Sequence, residues 1–594
     1  MKKLFKLRHL LLLAIMLGVA FALCSCENIH SHTPGEWIVD LEPNCECGGV
    51  RHNECTGCGV TVKTESIPAT GHTECTVTGY AATCTADGLT DGVVCSVCDE
   101  VITAQTVISA LGHDEIAYEE KEPSCVEIGW DAYVECSRCD FSTYVEKPMI
   151  DISDVPVTIT FYHTMSRALC DVLDEAIARF NELYPHITVI HTQVNGFNEI
   201  RDRVERMLSG DNYPNITYCY PEHVALYNLT KKVVALNGYI DSTITITHED
   251  GTTEILGLTE AQINAFVDGF YAEGAVYDEA GTMYTLPMSK SAEVLYYNKT
   301  FFEEHNLTVP TTWDEMEKVC EQIREILIND DDPHNDNKTI FGYDSESNLF
   351  ITMCKQYGSD YTSLSGDQYL FDNQTNHAFV KRLRGWYEKG YVTTQGLYGA
   401  YTSGLFTEEG IYMCIGSSAS AQHHVPSAVS GVYPFEVAIA PIPQVDPENP
   451  AVISQGASLC VFDQKNKQEV VASWLFVKFL TTDPDFQASF SMHSGYMPVI
   501  EREVLVEAVP YYGQWLAGTA ENLSKREIAI ASAIAVGLDQ DDAYFVPFAF
   551  EGSSKARNQV SALLQICLAI PTNDVDGMIK KMFEAAVNEC KEES

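Results

Sequence analysis

The chain has 594 residues, enough for several domains with sizeable cores, and its 45% hydrophobic, 10% aromatic and 20% charged residues are those of a folded protein. Lys+Arg 37 against Asp+Glu 84 give a net charge of −47, so a nucleic-acid binder, which needs clustered cations at phosphates, is disfavoured. A solvated acidic exterior is the plain reading of that charge.

The first nine residues, MKKLFKLRH, are basic, and residues 10–23 form an apolar run. This is a signal-peptide pattern, because a membrane-spanning helix needs about 20 apolar residues. The run ends in Leu23-Cys24-Ser25-Cys26, which resembles a bacterial lipobox. That resemblance implies removal of residues 1–25 and diacylation of Cys26, and two acyl chains anchor stably where one does not. An ordinary secreted protein cut nearby is the alternative. The expected location is the extracellular face of the cell membrane.

Of 21 cysteines, thirteen precede residue 150, so residues 26–150 form a different kind of structure from the remainder. A period of about 40 residues recurs there, as in tandem repeats. The copies read Cys45…Cys55-x2-Cys58, then Cys84…Cys95-x2-Cys98, then Cys125…Cys136-x2-Cys139, with Gly71-His72 and Gly112-His113 between them. Each Cys-x2-Cys sets two thiolates on one turn. A lone upstream cysteine and a histidine complete a tetrahedral Cys3His set, with His32, His72 and His113 as the fourth ligands. The units resemble cysteine-rich, Gly-His-terminated repeats of Firmicutes surface proteins and are expected to be small and zinc-ribbon-like. Copy one departs, with an extra Cys47, and Cys75 is left over. Structural zinc competes with disulfides in an exported chain, and both stay open. No open coordination position is evident, so a spacer is expected rather than catalysis.

From about residue 151 strand and helix alternate. VTITFYH at 157–163, HITVIHTQV at 186–194 and NITYCY at 215–220 read as strands. Between them, SRALCDVLDEAIARFNELYP and GFNEIRDRVERMLSG read as helices. Such βαβ units imply a parallel sheet with ligands beyond the strand carboxyl ends, near His163, Phe197 and Glu222.

The stretch YTLPMSKSAEVLYYNKTFFEEHNLTVPTTWDEM at 284–316 resembles the crossover of family 1 extracellular solute-binding proteins, receptors of sugar-importing ATP-binding-cassette transporters. FTEEGIYMCIGSSAS, QGASLCVF, VVASWLFVKFLTTDPDFQ and SGYMPV are similar to its later blocks, in order. The resemblance implies an α/β, two-lobed periplasmic-binding-protein-like fold of type II over 151–594. Lobe one is expected at about 155–289 and 455–500, lobe two at about 290–454 and 501–594. It also implies a carbohydrate-type ligand, an ABC permease partner and action as a monomer.

The glycerol-3-phosphate-binding branch is the most similar, and carried onto this sequence it implies a pocket of Glu222, Ser291, Ser418, Gly456, Tyr496 and Arg557. His163 and Phe197 join these as candidates. Arg557 can fork onto phosphate or hydroxyl oxygens, the serines can donate, and Gly456 allows close backbone approach. Phe197 departs from the branch, which has tyrosine there, and Lys290 places a cation where the branch has a small polar residue. Tyr496 as a packing aromatic, Arg557 as a partner for one of many acids, and Trp386 as structural are the ordinary alternatives. Residues 329–337, NDDDPHNDN, lack the glycine and terminal glutamate of an EF-hand.

No nucleophile elbow, Walker loop or dinucleotide glycine fingerprint is present, so binding is expected rather than catalysis. The second reading is a surface adhesion or zinc-binding lipoprotein whose lobed portion feeds no transporter. Capture and delivery predict ligand-dependent compaction and a permease partner, whereas adhesion predicts neither.

Overall fold

The structure is a computed structural model that describes residues 31–592 apart from 122, 124–127, 149–155, 249 and 330–337. The leader, Cys26, Cys125, most of the 151–156 link and nearly all of the acidic 329–337 run lie outside the described residues. The chain forms two compact units, one running to residue 117 and taking in 134–143, the other holding 118–133 and everything from 144 onward. No helix among the described residues is long and apolar enough to cross a membrane.

The first unit is built from short antiparallel strands. Pro34–Leu41, Gly49–Cys55 and Thr61–Ile67 make a three-stranded sheet, and the next copy repeats this with Glu74–Val77, Gly92–Cys95 and Val101–Thr103. The lone cysteines of these two copies, Cys45 and Cys84, sit in the loop after the first strand. The Cys-x2-Cys of each closes the turn after the second, where the backbone N–H of Gly57 points at the Cys55 sulfur and that of Val97 at the Cys95 sulfur.

In the second unit the alternation read from the sequence is present, and the type II architecture follows from how two sheets share one chain. Strand β1 (Val157–His163) buries alternate side chains, and helix α1 (Arg167–Leu183) covers it with Leu173, Ile177 and Phe180 at helical spacing. Strand β2 (Ile187–Gln193), helix α2 (Phe197–Leu208), strand β3 (Ile216–Cys219) and helix α3 (Pro221–Asn228) follow. Strand β4 (Leu286–Pro287) then leads into β5 (Ser291–Asn298) of the other sheet. That sheet adds β6 (Phe341–Tyr343), helix α4 (Glu346–Gln356), β7 (Val392–Thr394), β8 (Met413–Ser417), β9 (Val437–Pro441) and β10 (Val452–Gln455). Strand β11 (Ser458–Val461) returns to the first sheet before helix α5 (Lys467–Thr482), and β12 (Tyr544–Phe545) and helix α6 (Ser553–Ala569) complete the second lobe. The first sheet has the order β2-β1-β3-β11-β4, with β1 parallel to β2 and β3, and β11 antiparallel to β3. The second has seven strands in the order β7-β6-β8-β5-β10-β12, with β9 pairing β5.

The chain therefore crosses between sheets at 288–290 and again at 456–457, and the two crossings touch. Gly456 has φ +111, and a Cβ there would stand 2.4 Å from the Ser289 carbonyl oxygen and 2.7 Å from the Lys290 Cα. Beside it the Lys290 ammonium, fully buried, bonds Glu273, the Ser458 hydroxyl at 2.9 Å and the Gly456 carbonyl at 3.3 Å. Lys290 is thus a link in the crossing, and it is not among the residues lining the cavity described below.

Because both the backbone conformation and the space forbid a side chain at Gly456, Gly456→Ala is expected to cost at least about 1–3 kcal/mol. A chemical denaturation midpoint unchanged from that of the parent chain would contradict this account of the crossing.

Candidate functional site

Between the two sheets lies a cavity of about 160 Å³, with Tyr220, Glu222 and Glu273 on the first-sheet side and Tyr361, Ser454, Gln455 and Arg557 on the other. Its volume is close to the roughly 150 Å³ of a cavity that admits one benzene ring, so it suits a ligand of single-ring or smaller size. Glu222 stands in the first turn of α3, where Pro221 is pre-set for the helix start. Arg557, in the second turn of α6, donates from Nη2 to the Asn348 Oδ1 at 2.6 Å. Asn348 in turn exchanges hydrogen bonds with Gln455, at 2.8 and 3.1 Å. The guanidinium is therefore aimed before any ligand arrives, and its Nε faces Glu222 Oε1 at 3.9 Å across the gap between lobes.

Two lining hydroxyls point to a polar occupant. Tyr361 Oη and Ser454 Oγ are buried with no hydrogen-bond partner among the described residues. A buried unsatisfied polar group costs about 1–3 kcal/mol, so such atoms in a cavity wall mark where a ligand's own polar atoms would be welcome. Burial pushes the Tyr361 hydroxyl far up from its ordinary value, leaving it a donor at every physiological pH.

Of the residues singled out from the sequence, the structure brings Glu222, Gly456 and Arg557 to this cavity. The others stand off its wall. Phe197 packs its ring on Tyr220 at 4.3 Å and so backs a lining aromatic. Ser418 Oγ accepts the Ala292 N–H at 3.3 Å, Ser291 pairs with Gln455 in the sheet, and the N–H of Tyr496 caps back onto Ser494. His163, the last residue of β1, is fully buried. Sequence reading missed Tyr220, Gln455 and Tyr361; only the neighbourhood of Gly456 carried a signal for Gln455.

His163, Cys170 and His191 also lie close enough to share a metal, but the two histidines form a complete proton chain without one, and the Cys170 thiol donates to the Met165 carbonyl. The Met165 N–H donates to His163 Nδ1, so the neutral ring carries its proton on Nε2 and gives it to His191 Nδ1 at 2.8 Å, whose Nε2 faces Asp174 at 3.0 Å. Burial holds His163 down at about 4 and keeps it neutral.

Among the described residues of the first unit, cysteines and histidines gather as Cys45 with His72, Cys95 and Cys98; Cys84 with His113, Cys136 and Cys139; and His32 with Cys55 and Cys58. This corrects the grouping by repeat. Each four-ligand group takes its histidine and Cys-x2-Cys from one copy and its lone cysteine from the copy before. The Cys45 and Cys95 sulfurs are 3.7 Å apart, those of Cys84 and Cys136 3.8 Å, and His72 and His113 present Nδ1 to Cys98 and Cys139 at 3.5 and 3.4 Å. Burial raises the Cys95 thiol, but the N–H of Val97 and His72 outweigh it and bring it down to about 5.

A family model described as bacterial extracellular solute-binding protein matches residues 175–512. The sn-glycerol-3-phosphate-binding periplasmic protein of Salmonella typhimurium is 22% identical over 362 residues, 58% of this chain and 74% of that protein. A multiple sugar-binding protein of Streptococcus mutans is 27% identical over 168 residues, 28% of this chain and 34% of its own, so the match spans about a third of that relative. In fold, the chain resembles the UgpB structure from Mycobacterium tuberculosis in complex with glycerophosphocholine, with TM-score 0.56 and 18% identity over 73% of this chain and 98% of the other.

Behind Arg557, the buried Glu293 accepts a hydrogen bond from Tyr343, and burial lifts its pKa from 4.5 to about 7. The folded state thus keeps a proton that the unfolded chain has released. This contribution, about 3 kcal/mol, is complete below about pH 4.5 and is lost as the pH rises through about 7. Glu293→Gln should flatten the fall in stability across that window, read as denaturation midpoints at pH 5 and about pH 8. An equal fall in parent and variant would rule the titration out.

Proposed function

The chain belongs to the bacterial extracellular solute-binding proteins, and on that premise we propose that it captures a small hydroxylated solute between its two lobes and delivers it unaltered to an ABC permease. The observation that carries this reading is the cavity itself, where Arg557 and Glu222 approach from opposite lobes beside two unpartnered hydroxyls. A guanidinium suits the oxygens of a phosphate, a carboxylate such as Glu222 accepts from vicinal hydroxyls, and the face of Tyr220 suits a sugar ring or carbon chain. The volume favours a glycerol phosphate or a single sugar over an oligosaccharide. Relatives named for glycerol 3-phosphate and for sugars fit the same range. Binding without chemistry is in keeping with a wall that holds no nucleophile beside a base.

Ligand would replace the Arg557–Glu222 approach with contacts to both sides and so favour the closed arrangement, which the permease would recognise. Cys26 is the proposed lipid anchor, and the repeats the spacer between membrane and receptor. For their four-ligand groups we take zinc. A tetrahedral ion with bonds of about 2.3 Å to sulfur and 2.0–2.1 Å to nitrogen sets sulfur–sulfur edges near 3.8 Å and sulfur–nitrogen edges near 3.6 Å. The separations of 3.4 to 3.8 Å given above lie close to these, whereas a disulfide needs about 2.05 Å.

A thermal-shift series of glycerol 3-phosphate, glycerophosphodiesters, polyols and monosaccharides should give at least one ligand that raises the melting temperature and compacts the chain in solution scattering. If that ligand carries phosphate, Arg557→Ala should weaken it roughly 10- to 100-fold, whereas a neutral sugar should depend more on Glu222→Gln. Superimposable scattering curves with every compound, or a chemically altered product, would end the receptor reading. Cys26→Ser should move the protein from the membrane to the medium, and unchanged retention would remove the lipid anchor.

A further inference from the structure

Among the described residues, neither four-ligand group is drawn from one repeat alone. We infer that each four-ligand zinc site is a junction, closed by a thiolate that the preceding repeat hands forward, so that three repeats make two closed sites and lock to one another in series. This deepens the zinc reading proposed above and rests on it.

The reason is the length of a strand. A lone cysteine and the Cys-x2-Cys of its own repeat flank an extended segment: Cys45 precedes, and Cys55 ends, the strand Gly49–Cys55. At about 3.3 Å per residue that strand holds the two ends of the hairpin roughly 20 Å apart, far beyond the reach of a shared ion. Cys84 and Cys95 stand likewise at opposite ends of 88–95. The lone cysteine is therefore delivered to the far end of its hairpin, and there it meets the next repeat, with Cys45 against Cys95 and Cys84 against Cys136. Around the first site the outer ring nitrogen of His72 faces Glu100 at 3.5 Å, the carboxylate-to-histidine contact that orients an imidazole toward a metal. Around the second, Phe141 stacks on His113 at 3.9 Å and fixes the ring plane. Each junction thus has both its donors and their orientation supplied by the fold.

Alkylation mapping of the full zinc-loaded chain tests this. In the parent, Cys45, Cys84, Cys95, Cys98, Cys136 and Cys139 should resist alkylation until a chelator is added. Cys84→Ser should cost one zinc per chain, expose Cys136 and Cys139 in the next repeat, and leave Cys95 and Cys98 of its own repeat protected. Cys45→Ser should do the converse, exposing Cys95 and Cys98, sparing Cys84, Cys136 and Cys139, and leaving Cys55 and Cys58 as reactive as in the parent. Should Cys84→Ser instead expose Cys95 and Cys98, zinc stands and the junctions are refuted. A parent chain without zinc, its thiols equally reactive with and without chelator or already oxidised, defeats the junctions and the zinc reading together. As a guard against misfolding, Cys58→Ser should leave both junctions' thiols protected, and a general loss of protection in that variant counts against independent junctions.

Discussion

The Lys290 ammonium is fully buried, so its charge must be met by the protein: Glu273, the Ser458 hydroxyl and the Gly456 carbonyl meet it. Those partners come from three separate segments, a helical turn, the start of β11 and the second crossing, and the cation itself belongs to the first crossing. A buried ion pair is a poor source of net stability, since desolvation offsets most of the attraction, yet losing one partner costs about 3–5 kcal/mol. Its effect is thus specificity of position. The crossings can pass each other only where the ammonium is satisfied and where position 456 carries no side chain. That register places Gln455 in the cavity wall. Gln455 holds Asn348, Asn348 aims Arg557, and the cavity-lining guanidinium is thereby referred back to the crossing.

In the proposed receptor, the same chain of contacts would let two lobes move without losing the site. Arg557 is fixed wholly within its own lobe, by Asn348 and Ser347, while Glu222 rides on the helix that follows β3 in the other. The two meet at 3.9 Å with side chains still partly exposed, at 17% and 23%, a separation at which attraction is real but screened. Such a contact biases the lobes toward one another without fixing them. A solute that bonds both groups strengthens the bias, and carrying a population from 1:99 to 99:1 requires about 5.5 kcal/mol of differential affinity. Two or three good charge-assisted hydrogen bonds supply that amount.

The alternating strands and helices of 157–220 and the type II arrangement were legible because each depends on local periodicity or on a run of blocks in fixed order. Glu222, Gly456 and Arg557, which the structure brings to the cavity, came from the resemblance to the glycerol-3-phosphate-binding branch, carried over position by position, rather than from any local rule. Tyr361 and Tyr220 were not legible, because an aromatic in a loop looks the same whether its hydroxyl faces a cavity or solvent. His163 shows the opposite error, since a histidine at a strand end suggests a ligand contact until the Met165 N–H and His191 are seen to use both ring nitrogens. Lys290 announced itself only as an odd cation; its partner Glu273 lies 17 residues away in sequence with no motif to link them.

For the repeats the sequence grouped cysteines and histidines copy by copy, whereas the structure gathers them across copies, and the difference has a simple origin. Spacing along a chain says which residues are near only while the chain is bent, and the ten residues between Cys84 and Cys95 include strand on the way. The count of thiols carries information that spacing does not. Three sulfurs at each four-ligand group cannot all be consumed by pairwise disulfides within the group, so oxidation would strand one reactive thiol at every junction of an exported chain. A tetrahedral ion takes all three together with the histidine and leaves none over. A lone cysteine plus one Cys-x2-Cys, three thiols that look like a defect in a disulfide scaffold, is the set that a series of shared sites requires, with Cys47 and Cys75 outside the two four-ligand groups.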